Sequence, residues 1–132
     1  HLLGEARQAM LLQRVGWPGF ESNADRFSAR EALALATMGG AKTLGRNDIG
    51  SLEPGKAADF VAFRIDGLAH AGAQGDPVAA LLTCAPAPAW LSVINGKVVV
   101  EGGELKGVDL PRLIERHNEI SLEMMQKAGV VA

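Results

Sequence analysis

The chain has 132 residues, 48% of them hydrophobic and 21% charged, which is the composition of one ordinary globular domain rather than of a disordered segment. A formal net charge of −2 and a pI near 5.9 leave no electrostatic footprint for nucleic acid or an anionic membrane. No apolar run approaches the roughly 18 residues of a membrane span, and the single Cys84 forms neither an intramolecular disulfide nor a zinc motif, so a reducing, cytoplasmic setting is expected.

From Leu2 to Val15, Leu2, Leu3, Ala6, Ala9, Met10 and Leu12 recur near helical spacing with Arg7, Gln8, Gln13 and Arg14 between them. Gly16-Trp17-Pro18-Gly19 should end that helix. Ser28-Ala29-Arg30-Glu31 is a capping box that opens the next one, carrying Ala32, Leu33, Leu35, Ala36 and Met38. Gly39-Gly40 is expected to interrupt it, and Gly45 to close a last turn.

The character changes at Ile49. Glu53-Pro54-Gly55-Lys56 reads as a type II turn, with φ preset by Pro54 and a positive φ supplied by Gly55. Phe60 to Ile65 then reads as a buried strand. Ala69 to Gln74 is small and mobile-looking. Asp76-Pro77 starts a short helix through Leu82, and the alternating prolines of 85–89 exclude one. Trp90 to Ile94 and Lys97 to Glu101 flank Asn95-Gly96, a strong hairpin signal. Gly102-Gly103 allows a second reversal before Glu104. Asp109-Leu110-Pro111 opens a final helix, with Leu110, Leu113, Ile114, His117, Ile120 and Met124 as its apolar stripe.

Few residues could carry chemistry. His1, His70 and His117 lie far apart, and none belongs to an H-x-H or H-x-x-x-H pair, so the metal-site signal is negative. His70 reads as a solvated loop residue and His117 as a hydrogen-bonded packing residue. Cys84 reads as a buried, inert thiol. Gly39 to Thr43 holds a fragment like a phosphate-binding loop, but lacks its first glycine and a preceding strand; helix packing explains those glycines better. Glu53 and Asp59 flank the turn, and Asp59 is placed to bond nearby backbone amides. Trp17 and Trp90 read as core rather than as a ligand pocket. These residues nominate no catalytic, cofactor-binding or metal-ligating side chain.

Longer strings say more. Ile49-Gly50-Ser51-Leu52-Glu53-Pro54-Gly55-Lys56-Ala57-Ala58-Asp59, with the strand after it, resembles the segment with which metal-dependent amidohydrolases leave their catalytic barrel and re-enter a small β-domain. His1 to Glu5 with Gln8 to Arg14 resembles the helix after the eighth barrel strand in the cytosine-deaminase-like and chlorohydrolase-like branch. Ala29 to Leu33 with Ala36 to Ala41 resembles the helix packed beneath that barrel. Asp76 to Leu81 and Val93 to Val99 resemble the returning β-domain. Arg116-His117-Asn118 adds a likeness to the 8-oxoguanine deaminase and hydroxydechloroatrazine ethylaminohydrolase subgroups.

The resemblance implies an α/β superfamily fragment: last barrel helices over 1–48, the C-terminal half of a small β-sandwich domain over 49–108, and a C-terminal helix over 109–132. For a full-length parent it implies a (β/α)8 enzyme that uses one zinc or iron to hydrolyse a C–N bond on a purine- or triazine-like ring. The family's metal ligands, an H-x-H pair, two further histidines and an aspartate ending strand eight, would all lie upstream of His1, so none is carried over. The fragment alone is expected to be inactive, a piece of a longer protein, although a processed or tag-trimmed start would also give a chain beginning at His1. Helices that normally cover a barrel should expose Leu3, Met10 and Leu12, so the expected partners are the missing barrel or a second copy of the chain. A non-catalytic self-associating module is the competing reading, and a small independent enzyme using Cys84 or His117 is a third.

Overall fold

The structure is a computed structural model, and it describes residues 2–15 and 27–130. The expected end of the first helix at Gly16 to Gly19, together with His1 and Trp17, lies outside the described residues. Three helices form one layer: α1 (Leu2–Val15), α2 (Ala29–Ala34) and, further along the chain, α4 (Pro77–Thr83). Ala6 and Met10 from α1, Ala29 and Ala32 from α2, and Leu82 from α4 close a small core, flanked by Leu3, Phe27, Leu33 and Val78. Met10 is therefore fully buried rather than exposed, because α2 and α4 cover the stripe on which it sits. Leu12, on the other side of α1, is 54% exposed, as expected.

Polar contacts fix how the layer is assembled. Ser28 Oγ accepts from the Glu31 amide at 3.2 Å while the Glu31 carboxylate accepts from the Ser28 amide at 2.6 Å, completing the capping box. Those bonds hold the Glu31 carboxyl below its ordinary range. Asp76 caps α4 by accepting from the Ala79 amide at 3.1 Å, and it also pairs with Arg30 of α2 at 2.7 Å. Arg7 of α1 donates to the Cys84 carbonyl at 3.2 Å, just past the end of α4.

Gly39-Gly40 does not interrupt the helix, contrary to expectation. The chain continues through a wide π-helical turn (Leu35–Gly39) into α3 (Gly40–Thr43). Both glycines have ordinary helical dihedrals, and buried Ala41 anchors the turn that follows; mid-helix glycine weakens a helix without forbidding it. The end is a Schellman motif: Gly45 at φ +66 donates to the Lys42 carbonyl, and Arg46 donates to that of Ala41.

The remaining strands make one antiparallel sheet in the order β1-β2-β3-β4, from β1 (Phe60–Phe63), β2 (Ala89–Ile94), β3 (Lys97–Glu101) and β4 (Glu104–Leu105). Phe60 pairs with Val93, and Ile94 pairs with Lys97 across a hairpin in which Asn95 and Gly96 both take positive φ. The sheet is single among the described residues. β1 is not the buried strand expected: Phe60, Val61 and Ala62 are all exposed, since among the described residues no helix packs closely on the faces of β1. After the sheet, Asp109 caps α5 (Leu110–Lys127), and every residue of that helix is exposed.

Candidate functional site

The segment 46–59 joins helices to sheet, and its geometry follows from local chemistry. The Lys56 amide donates to the Glu53 carbonyl at 3.2 Å around Pro54 and Gly55, whose φ of +88 completes the expected type II turn. Glu53 accepts from the Ser51 hydroxyl at 2.6 Å and from Lys56 Nζ at 3.2 Å, and both hold its carboxyl below the ordinary range. Arg46 and Asp48 form a two-bond ion pair at 2.9 and 2.5 Å that lowers the Asp48 pKa. Asp59 accepts from the Asn95 amide at 2.5 Å, so it does bond backbone, across the fold at the hairpin turn. Each of these groups is spent on holding the segment.

Gly50 carries a constraint that the sequence reading did not isolate. Its φ is +92, and a Cβ there would lie 2.9 Å from Ala41 Cβ and 3.2 Å from Met38 Cα. Only glycine lets the segment lie this close to the helix. Beside it, an open apolar cleft of about 560 Å³ runs between helices and sheet, bordered by Leu33, Leu44, Ile49, Phe60, Val61 and Leu81. Among the described residues that line it, Asp59 is the one carboxylate, and it accepts from the Asn95 amide.

The other candidates are scattered. His70 is buried, 5% exposed, which corrects the solvated-loop reading. It ends a 3-10 turn (Leu68–His70) whose loop folds on itself: the Ala73 amide donates to the His70 carbonyl, and Gln74 Nε2 bridges the carbonyls of Ile65 and His70. The small side chains taken as a sign of mobility instead let the backbone close up. His70 Nε2 has no hydrogen-bond partner among the described residues. His117, expected as a packing residue, is exposed on α5 because no described element covers that helix. Cys84 is half-buried rather than buried, beside a small cavity of about 80 Å³ next to Arg7. Trp90 is 43% exposed on β2, with the Arg64 guanidinium 4.9 Å from its ring centroid, so it too lies outside the core. Lys42 and Thr43 lie in α3, where the backbone amides serve the helix, and Thr43 Oγ1 donates to the Gly39 carbonyl at 3.0 Å; nothing there cradles a phosphate.

Among the described residues no three His, Cys, Asp or Glu side chains converge as a metal site would need. No described helix is long and apolar enough to cross a membrane.

A helical layer thus leads through a glycine-dependent crossing into an antiparallel sheet. The amidohydrolase family model matches residues 1–101, and the chain belongs to that family. It is 43% identical over 117 residues to an 8-oxoguanine deaminase from Pseudomonas aeruginosa, covering 89% of this chain but 25% of that protein. It is 42% identical over 78 residues to a hydroxydechloroatrazine ethylaminohydrolase from Pseudomonas sp. strain ADP, covering 58% of this chain and 16% of that protein. Among solved structures, an atrazine chlorohydrolase from Arthrobacter aurescens TC1 complexed with zinc superposes with a TM-score of 0.78 at 38% identity, over 89% of this chain and 25% of the other. An adenosine deaminase from Xanthomonas campestris with bound zinc superposes at 0.83 with 26% identity, over 95% of this chain and 28% of the other. The chain thus spans about a quarter of the length of such relatives.

Proposed function

We propose that this chain is the C-terminal part of a metal-dependent deaminase that hydrolyses a C–N bond on a purine- or triazine-like ring. The observation that carries the reading is the 43% identity to an 8-oxoguanine deaminase over nearly the whole chain. In this reading residues 1–48 are the last helices of a (β/α)8 barrel, 49–108 are part of a small β-sandwich domain, and 109–132 are a C-terminal helix. The Schellman end at Gly45 and the close approach at Gly50 support a boundary near residue 48. Exposed apolar side chains such as Leu2 and Leu12 on α1, and Phe60 and Val61 on β1, support cover by further barrel and sheet elements.

Zinc or iron, the metal of this reading, is held by residues outside those described, and no chemical step is assigned to residues of this chain. Its contribution is structural: the Glu53–Lys56 turn and the Asp59–Asn95 bond fix how the sheet meets the helices. We place the protein in the cytoplasm, in keeping with one free thiol at Cys84. The test is to read the DNA upstream of the His1 codon. An in-frame H-x-H motif followed by the aspartate ending strand eight is the expected result. A start codon close to His1 would contradict it and favour the self-associating module, which the exposure of all of α5 supports.

A further inference from the structure

We propose that Asn95 is a site of spontaneous modification, conversion to aspartate and isoaspartate through attack by the Gly96 amide nitrogen, and that the crossing segment 46–59 is its brake. Asn95 and Gly96 form the turn between β2 and β3, with φ of +49 and +74. Gly96 has no Cβ to hinder the approach of its nitrogen to the neighbouring carboxamide, and Asn95 is exposed. The other described asparagines, Asn47 and Asn118, precede Asp48 and Glu119, whose side chains hinder the same attack. Asn118 also lies within α5, where the amide that follows it is committed to the helix.

The chemistry needs only water. The Gly96 nitrogen gives its proton to solvent and bonds to the Asn95 side-chain carbonyl carbon. The bond from that carbon to Nδ2 breaks, and the released nitrogen takes a proton from water and leaves as ammonia. Water then opens the cyclic imide at either carbonyl, giving aspartate or isoaspartate. Nothing is oxidised or reduced.

In the folded chain the attacking group is engaged. The Gly96 amide donates to the Ala58 carbonyl at 3.1 Å, and a hydrogen bond to the neutral form opposes loss of that proton. The Asn95 amide donates to Asp59 at 2.5 Å on the other side of the same residue pair. Attack needs rotation of the backbone between Asn95 and Gly96, which the two bonds oppose together. Ala58 and Asp59 are themselves positioned by the crossing segment, since the Ala57 amide donates to the Asp48 carbonyl at 2.7 Å. Every one of these bonds joins described residues, so the brake does not depend on what else covers the turn. Once the brake is released, either product weakens the join. Aspartate adds a carboxylate next to the one that holds its amide, and isoaspartate lengthens by a methylene the backbone of a turn that fits two residues.

Peptide mapping by mass spectrometry tests this on the whole chain, incubated at one mildly alkaline pH in native buffer and in concentrated urea. In urea Asn95 should convert faster than Asn47 or Asn118, and in buffer its conversion should slow by about tenfold or more. Asp59→Ala removes one of the two bonds and should speed conversion in buffer by about tenfold while leaving the urea rate unchanged. Ser28→Ala weakens α2 and leaves the bonds at the turn in place, so it should speed conversion far less. Equal rates in buffer and urea would overturn the proposal, as would an Asp59→Ala rate matching the original in buffer. Acceleration by Ser28→Ala equal to that by Asp59→Ala would also overturn it, making global unfolding the brake. Conversion at Asn95 no faster than at Asn47 in urea would show that the turn is not a modification site.

Discussion

The helical layer and the C-terminal helix start from the same kind of sequence and end differently. In α1, α2 and α4 the apolar stripes face each other, so that Met10 is 0% exposed and Leu82 1%. In α5 a longer and more regular stripe buries nothing. Periodicity says that a helix has a side to hide; whether anything hides it depends on which other elements the chain supplies. The first set carries the core of the described fold, and α5 adds no buried residue to it.

Substitutions should separate the two. Met10→Ala leaves a cavity in the layer and should cost about 2–5 kcal/mol, read by urea unfolding followed by far-UV circular dichroism. Gly50→Ala should cost about 1–3 kcal/mol, since it combines a positive φ with a Cβ 2.9 Å from that of Ala41; a loss no larger than an exposed Gly→Ala change would show that the segment lifts from the helix freely. Ser28→Ala removes one half of the capping box and should cost about 1 kcal/mol by the same measurement.

The Arg30–Asp76 contact gives a smaller, pH-dependent effect. Hydrogen bonding and charge from Arg30 hold the Asp76 pKa below its ordinary 3.8. A carboxylate with a depressed folded pKa contributes stability above its unfolded value, and that contribution disappears as pH falls through the folded one. Asp76→Asn should therefore lower the melting temperature slightly at neutral pH, with the difference shrinking on acidification below about 3.8. A difference constant from pH 7 to 2 would show that the ion pair adds nothing. Ile120→Ala, at the far end of the scale, should leave stability unchanged within about 0.5 kcal/mol by urea unfolding. A loss comparable to Met10→Ala would mean that α5 packs within its own chain.

Much of this fold is legible where the signal is local. The capping box at Ser28, the type II turn at Pro54-Gly55, the Asn95-Gly96 hairpin and the Asp76 and Asp109 caps each follow from residues within four positions of one another. Burial depends on distant partners and was harder to read. The apolar run at Phe60 reads as a core strand, yet no described helix packs closely on its faces. His70 looked solvated because its neighbours are small, yet Gln74 closes the loop over nine residues back to Ile65. As for the candidate site, the turn at Pro54-Gly55 is legible from adjacent residues, whereas the demand for glycine at position 50 appears only when the segment is seen lying on α3.

The central claim is that this family member's chemistry resides in residues outside the described chain. It is tested by incubating the purified 132-residue chain, and a longer product of the same reading frame, with zinc and 8-oxoguanine or an amino-substituted triazine, and measuring ammonia or alkylamine release. Release by the longer protein and none by the chain alone is the predicted result. Zinc-dependent release by the chain alone would contradict it.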